Sequence, residues 1–276
     1  MRIAVYQART GIDPAANARD LVAAAGEAAA GGAAMLFTPE MSGLLDRDRE
    51  RADGHLRDEA GDPVLQAVRD AAGRHGLWVH LGSLALAGER GDGRLVNRGF
   101  LIDGTGLVRA RYDKIHLFDV DLPTGESWRE SAAYAGGDRA LVAATPIGSL
   151  GLSICYDLRF PDLYRALSDA GATVLSIPAA FTVPTGEAHW HVLLRARAIE
   201  AGAFVVAAAQ AGHHEDGRDT YGHSLVVDPW GKVLLDMGTE PGLGFTELDA
   251  GQVEEVRRRL PAIRHRRPIG EPELVP

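Results

Sequence analysis

The sequence has a single cysteine among its 276 residues, so it can hold neither an internal disulfide framework nor a cysteine-rich zinc site. Secretion for the sake of disulfides is thereby excluded. Long apolar runs are also missing. Nothing approaches the ~18 uninterrupted apolar residues of a membrane span, and the most apolar stretch, Ala201 to Ala211, is interrupted by Gly202 and Gln210, which suits a buried strand. Positive charge is in deficit, with 29 Lys and Arg against 38 Asp and Glu, a net charge of −9 and a pI near 5.6. Such a chain repels phosphate backbones overall, which excludes nucleic acid as a partner. No G-x-G-x-x-G and no P-loop sequence occurs, so no nucleotide cofactor is indicated. The opening Met1-Arg2-Ile3-Ala4-Val5-Tyr6-Gln7 lacks the apolar core and cleavage site of a signal peptide. The expectation is a cytoplasmic enzyme with no membrane association.

What is present is a chain of ordinary globular composition, 46% hydrophobic and 24% charged, in which short apolar runs alternate with helical stretches. Strands are predicted at 3–7, 34–38, 78–87, 95–103, 107–112, 140–144, 148–155, 173–177, 203–209, 224–227 and 232–235. Helices are predicted at 14–30, opened by Asp13 and Pro14, at 63–75, stopped by Gly76, at 161–170 and at 187–201. Asp103-Gly104-Thr105-Gly106 marks a hairpin. From Lys114 to about Asp138 the periodicity fades, and a loop of that length is usually functional or disordered. Interleaving of this kind gives an α/β class with mixed sheets. No linker composition appears, so residues 1–268 read as one domain followed by a tail, 269–276. The alternative is two domains divided near residue 138.

Three reactive residue types fall at similar places. Glu40 follows the strand 34–38, Lys114 follows the strand ending at Tyr112, and Cys155 closes the strand that begins at Gly148. Ligand sites in α/β sheets gather beyond the carboxyl ends of strands, and a base, a cation and a thiol placed there make a possible nucleophilic site. Each residue alone has an ordinary reading: an inert buried thiol, a solvated loop carboxylate, a surface lysine beside Asp113.

Three segments change that balance. Phe37-Thr38-Pro39-Glu40, then Tyr112-Asp113-Lys114-Ile115-His116-Leu117-Phe118, then Ile154-Cys155-Tyr156-Asp157-Leu158-Arg159-Phe160-Pro161 resemble, in order, the three signatures of the nitrilase superfamily of carbon–nitrogen hydrolases. Glu130, in Arg129-Glu130-Ser131, resembles the second glutamate that many members hold near the catalytic lysine. The likeness runs from residue 1 to about 268. In the second half, 180–190, 192–200, Tyr221-Gly222-His223-Ser224, Val227-Asp228-Pro229-Trp230-Gly231 and His265-Arg266-Arg267-Pro268 are similar to the Nit branch, and within it to the deaminated glutathione amidases. The related ω-amidases, which act on 2-oxoglutaramate, depart from the stretch Ala180-Phe181-Thr182-Val183-Pro184-Thr185-Gly186-Glu187.

The resemblance implies a four-layer α-β-β-α sandwich, association into a homodimer or larger homo-oligomer through the helical layer, and a small-molecule amide substrate with no cofactor. It implies that Cys155 is the nucleophile, Glu40 the general base, and Lys114 with the Tyr156 backbone N–H the stabiliser of the oxyanion. Glu130 then positions Lys114 or the substrate. For the keto-acid carboxylate of such a substrate, the cations nearest in sequence to these segments are Arg159 and either Arg195 or Arg197, which lie two apart on one helix and face different ways. A structural ion pair of Arg159 with Asp157 or Asp162 is the other reading. Phe181 and Thr182 are placed to wall the pocket. Two competitors remain: a thiol protease pairing Cys155 with His189 or His223, and a catalytically silent binding protein on the same scaffold. The His189-Trp190-His191 and His213-His214-Glu215-Asp216 clusters lack zincin spacing, and the second reads as a surface loop, so no metal is expected. The basic run Arg264-His265-Arg266-Arg267 reads as a solvated tail or subunit contact.

Overall fold

Residues 1–88, 92–121, 125 and 127–275 are described by the structure, a computed structural model. Alternation along the first strand sets the architecture. In β1 (Arg2–Gln7), Ile3 and Val5 belong to one apolar cluster and Ala4 to another, and all three are buried. A strand apolar on both faces needs cover on both sides.

β2 (Met35–Phe37) and β3 (Trp78–Ala87) run parallel to β1, and β4 (Leu95–Ile102) and β5 (Val108–Asp113) continue antiparallel through the hairpin at 103–106. A short ribbon of β6 (Asp119–Asp121) and β7 (Ser127–Arg129) leads to β8 (Val142–Thr145), β9 (Gly148–Leu152), β10 (Val174–Ser176) and β11 (Phe204–Ala207). A second ribbon, β12 (Ala211–His213) and β13 (Asp219–Tyr221), precedes β14 (Leu225–Val227) and β15 (Val233–Asp236). The last strand, β16 (Gly242–Glu247), returns to pair antiparallel with β1. The result is two six-stranded mixed sheets, ordered β16-β1-β2-β3-β4-β5 and β15-β14-β11-β10-β9-β8.

The helices are α1 (Pro14–Ala30), α2 (Arg49–Asp53), α3 (Pro63–His75), α4 (Pro161–Asp169), α5 (Val183–Ala201) and α6 (Ala250–Arg259). Leu21, Ala25 and Ala28 of α1 join Val64, Leu65 and Val68 of α3 against Ala4, Leu36, Val79 and Phe100. The other cluster holds the facing residues of both sheets, among them Val5, Phe37, Leu152 and Val205, with Leu163 and Leu167 of α4 and Trp190 and Leu194 of α5. This is the four-layer α-β-β-α sandwich that the resemblance implies. Inside it, His80 of β3 and Ser176 of β10 meet at 3.0 Å, and burial lowers the His80 pKa to about 3, so the imidazole is neutral.

Capping follows the sequence. Asp13 accepts from the Ala15 amide at 2.9 Å, Asp62 from the Leu65 amide at 2.7 Å, and Gly76 ends α3 in the left-handed region. Other expectations need correction. The strand before Cys155 stops at Leu152, and Cys155 instead opens a 3-10 turn over 155–159. Helix α5 starts at Val183 rather than Glu187, because Pro184 is accommodated in its first turn. Strand β16 and helix α6 lie outside the elements predicted from the sequence. The 114–138 stretch contains the β6–β7 ribbon and a 3-10 turn at 130–132; its residues 122–124 and 126, like Pro276 of the tail, lie outside the described residues. In the basic run, Arg266 is fixed on α4 through Asp169 and the Ser168 hydroxyl. No helix among the described residues is long and apolar enough to cross a membrane.

Candidate active site

Glu40, Lys114 and Cys155 follow different strands, and neither Glu40 nor Lys114 takes its ordinary solvated reading. Their exposures are 4%, 3% and 8%. Lys114, one of only two lysines in the chain, places its Nζ 2.9 Å from Glu40 Oε1 and 2.8 Å from Glu130 Oε2. Burial alone would lower the Lys114 pKa, but the carboxylates of Glu130 and Glu40 outweigh it and hold the pKa well above the ordinary value. The side chain is therefore a permanent ammonium. Glu130 stands in the 3-10 turn after β7 and also accepts from the Phe118 amide at 2.7 Å. Glu40 Oε2 accepts from the Ala180 amide at 2.9 Å, and its loop is kept close by Gly82, where a Cβ would come within 2.4 Å of the Pro39 carbonyl oxygen.

Cys155 has a left-handed backbone, φ 50°, which is uncommon for a residue with a side chain. The turn is held by Asp157, a fully buried carboxylate. Its Oδ2 accepts from the Ile154 amide at 2.9 Å and the Tyr112 hydroxyl at 2.7 Å, and its Oδ1 from the His116 amide at 3.0 Å. The Cys155 amide donates to Pro178 O at 2.9 Å. Burial raises the thiol pKa well above its usual value, and the Glu40 carboxylate raises it further, against the opposing pull of Lys114. The resting group is a neutral thiol beside a carboxylate. Such a thiol becomes a nucleophile by giving its proton to a base during attack.

The carbon-nitrogen hydrolase family model matches residues 2–258. This chain belongs to the carbon–nitrogen hydrolase family. The hydrolase is 40% identical over 269 residues to the human deaminated glutathione amidase, covering 96% of this chain and 82% of that protein. It is 39% identical to the Yersinia enterocolitica deaminated glutathione amidase, covering 89% of this chain and 85% of that one. The crystal structure of the Caenorhabditis elegans NitFhit protein superposes with a TM-score of 0.89 at 37% identity, over 96% of this chain. The hydrolase spans only 65% of that longer NitFhit chain.

The hydrolase's Glu40, Lys114, Glu130 and Cys155 lie on the wall of one cleft of about 1480 Å³, which Tyr156, Arg159, Phe181 and Thr182 also line. Phe181 packs its ring 4.7 Å from that of Trp190, and Thr182 precedes α5 with its hydroxyl 2.8 Å from that of Thr185. Arg159 pairs with neither Asp157 nor Asp162. Its guanidinium lies 5.4 Å from the Phe181 ring centre, and Nη1 is 3.2 Å from His189 Nδ1. Arg195 and Arg197 do not line the cleft. Arg195 donates to Gly231 O at 2.8 Å, and Arg197 is buried against Leu158 O at 2.9 Å. The protease pairing finds no support in the geometry, since the group hydrogen-bonded to the Cys155 thiol is Glu40, and His189 is paired with Arg159. The surface-loop reading of His213-His214 is half wrong. His214, just after β12, is buried, with its ring nitrogens 2.9 Å from Thr10 O and 2.7 Å from the Thr220 hydroxyl.

Two lining or supporting residues were missed. Asn97 of β4 donates from Nδ2 to Glu40 Oε1 at 2.9 Å and to Glu130 Oε1 at 3.3 Å, tying the two carboxylates together. Trp128 lines the cleft with a buried indole N–H that has no acceptor among the described residues. The only signal for Asn97 was an uncharged polar residue inside a strand run with apolar ends. Hydrogen bonds to charged groups are worth about 1.5–3 kcal/mol. Asn97→Leu is therefore expected to lower kcat by ~10- to 100-fold with KM nearly unchanged, as measured by steady-state kinetics; a change confined to KM would place Asn97 in substrate binding instead.

Proposed function

We propose that the protein hydrolyses the amide bond of deaminated glutathione to 2-oxoglutarate and cysteinylglycine, through a thioester on Cys155. The observation that carries this reading is the buried thiol set beside a Glu40–Lys114–Glu130 cluster, in a chain about 40% identical to proteins named for that reaction. Cys155 Sγ attacks the amide carbon while its proton passes to Glu40. The oxyanion that forms is stabilised by the Lys114 ammonium and the Tyr156 backbone N–H; one donor in such a site contributes about 2.7–4 kcal/mol. Collapse breaks the C–N bond, and the nitrogen leaves with the proton held by Glu40. Glu40 then takes a proton from water, whose oxygen attacks the thioester carbon, and returns that proton to the departing sulfur. Glu130 holds Lys114 in place and shares its positive charge with Glu40.

The substrate's keto-acid carboxylate is read by Arg159, whose planar guanidinium suits bidentate recognition and whose neighbours Phe181 and Tyr156 supply an apolar wall. Thr182 borders the same pocket. The reading extends to one hydrolase domain over 1–268 with a tail at 269–276, a cytoplasmic setting, and a homodimer or larger homo-oligomer joined through the helical layer. A comparison of kcat/KM for deaminated glutathione and 2-oxoglutaramate tests the substrate: preference for the larger substrate is expected, and a clear preference for the smaller keto-amide moves the protein to the ω-amidases. Glu40→Gln should lower kcat by at least ~10²-fold, the usual contribution of a positioned general base. Rates within threefold of the parent enzyme would remove Glu40 from the mechanism.

A further inference from the structure

We propose that His191, His223 and Asp236 form a binding site for one divalent transition-metal ion of the zinc, cobalt or nickel class, distinct from the Glu40–Lys114–Cys155 chemistry. The three residues come from α5, the link between β13 and β14, and the end of β15, and no sequence spacing announces them. Asp236 stands between the two imidazoles, with Oδ2 2.9 Å from His191 Nε2 and Oδ1 2.8 Å from His223 Nδ1. One donor atom from each residue lies within 4.8 Å of the other two. A tetrahedral ion with ligand bonds of ~2.0–2.2 Å sets its donors about 3.4 Å apart. Small side-chain rotations close the set, with the ion replacing the two shared protons.

The surroundings hold these ligands in place. His223 has a left-handed backbone, φ 53°, fixed by its amide donating to Gly238 O at 2.6 Å and by the Trp190 indole donating to its carbonyl at 2.8 Å. Such strain persists only where the neighbours over-determine it, and here it aims a side chain. Tyr221 stacks on the His223 ring at 4.5 Å, and Asp236 Oδ1 also accepts from the Gly238 amide at 3.0 Å. Two imidazole nitrogens and one carboxylate oxygen select zinc, cobalt or nickel over magnesium and calcium, which prefer all-oxygen shells. His223 also lines the cleft, which gives the ion a path of entry. The bound ion ties α5 to β15.

Cobalt chloride titrated into the untagged full chain is the test, with Cys155→Ala as the background so that the thiol offers no competing ligand. The expected result is visible absorption that saturates at one equivalent, is displaced by zinc chloride, and needs at least tenfold more cobalt in both His191→Ala and Asp236→Asn. Asp236→Asn keeps the shape of the side chain, so it carries the test if His191→Ala loses its folded circular dichroism spectrum. A titration that does not saturate near one equivalent overturns the site. So does a midpoint unchanged in Asp236→Asn.

Discussion

Cys155→Ala is expected to lower kcat by at least ~10⁴-fold while leaving the protein folded, since loss of a nucleophile costs about as much as loss of its whole constellation. Cys155 is the chain's only cysteine, so no second thiol can take over the thioester. The fold should tolerate the change. The turn at 155 is fixed by main-chain amides that donate to Asp157 and to Pro178 O, bonds the substitution leaves in place, and alanine retains the Cβ that the left-handed turn already accommodates. The loss of one buried sulfur is a small cavity, about 1 kcal/mol. Steady-state rates with a thermal melt check both halves, and intact mass after substrate addition should reveal an acyl adduct in the parent enzyme and none in the variant. Turnover by the variant above a hundredth of the parent rate sinks the thioester mechanism.

Lys114→Met should be damaging in two separable ways. The ammonium sits between Glu40 and Glu130 at 2.9 and 2.8 Å, and removing it leaves a buried and a partly buried carboxylate without their cation. Breaking a buried pair from one side costs about 3–5 kcal/mol, because the remaining charge keeps its desolvation penalty. Loss of the oxyanion donor separately lowers kcat by ~10²- to 10³-fold. Adding Glu130→Gln to Lys114→Met distinguishes these contributions. The double variant should regain part of the stability in a denaturant melt, since one of the two stranded charges is gone, and regain none of the activity. If activity returns with stability, Lys114 serves the fold and not the reaction.

How much of this was legible beforehand depended on what kind of signal each residue gave. Asp13, Asp62, Pro14 and Gly76 act through local backbone chemistry, so their helix ends could be placed from sequence. Glu40 and Lys114 stood out because strand ends concentrate function in α/β sheets, and the motif resemblance joined them to Cys155. The 3-10 turn at Cys155 was hidden, because Ile154 extends an apolar run that looks like strand, whereas the bend is imposed by the buried Asp157 carboxylate and its donors from Tyr112 and His116. Asn97 and His214 were opaque for a related reason. A polar side chain reads as exposed, and only tertiary partners such as Glu40, Glu130, Thr10 and Thr220 make its burial possible. Strand β16 was missed because its pairing with β1, not its own glycine-rich composition, makes it a strand.

The division of the site between the two sheets also governs when the molecule can first react. Glu40 and Lys114 follow strands of the first sheet and Asn97 lies within its strand β4, whereas Cys155 follows a strand of the second, with roughly 115 residues between Glu40 and Cys155. Contacts of such long sequence separation form late, because the chain entropy lost in closing the intervening loop is recovered only when the layers dock. A nascent or partly refolded chain can thus bury its first-sheet ion pairs while its sulfur still has no base. Recovery of hydrolysis during refolding therefore times sheet docking, and species that precede docking are chemically silent toward amides.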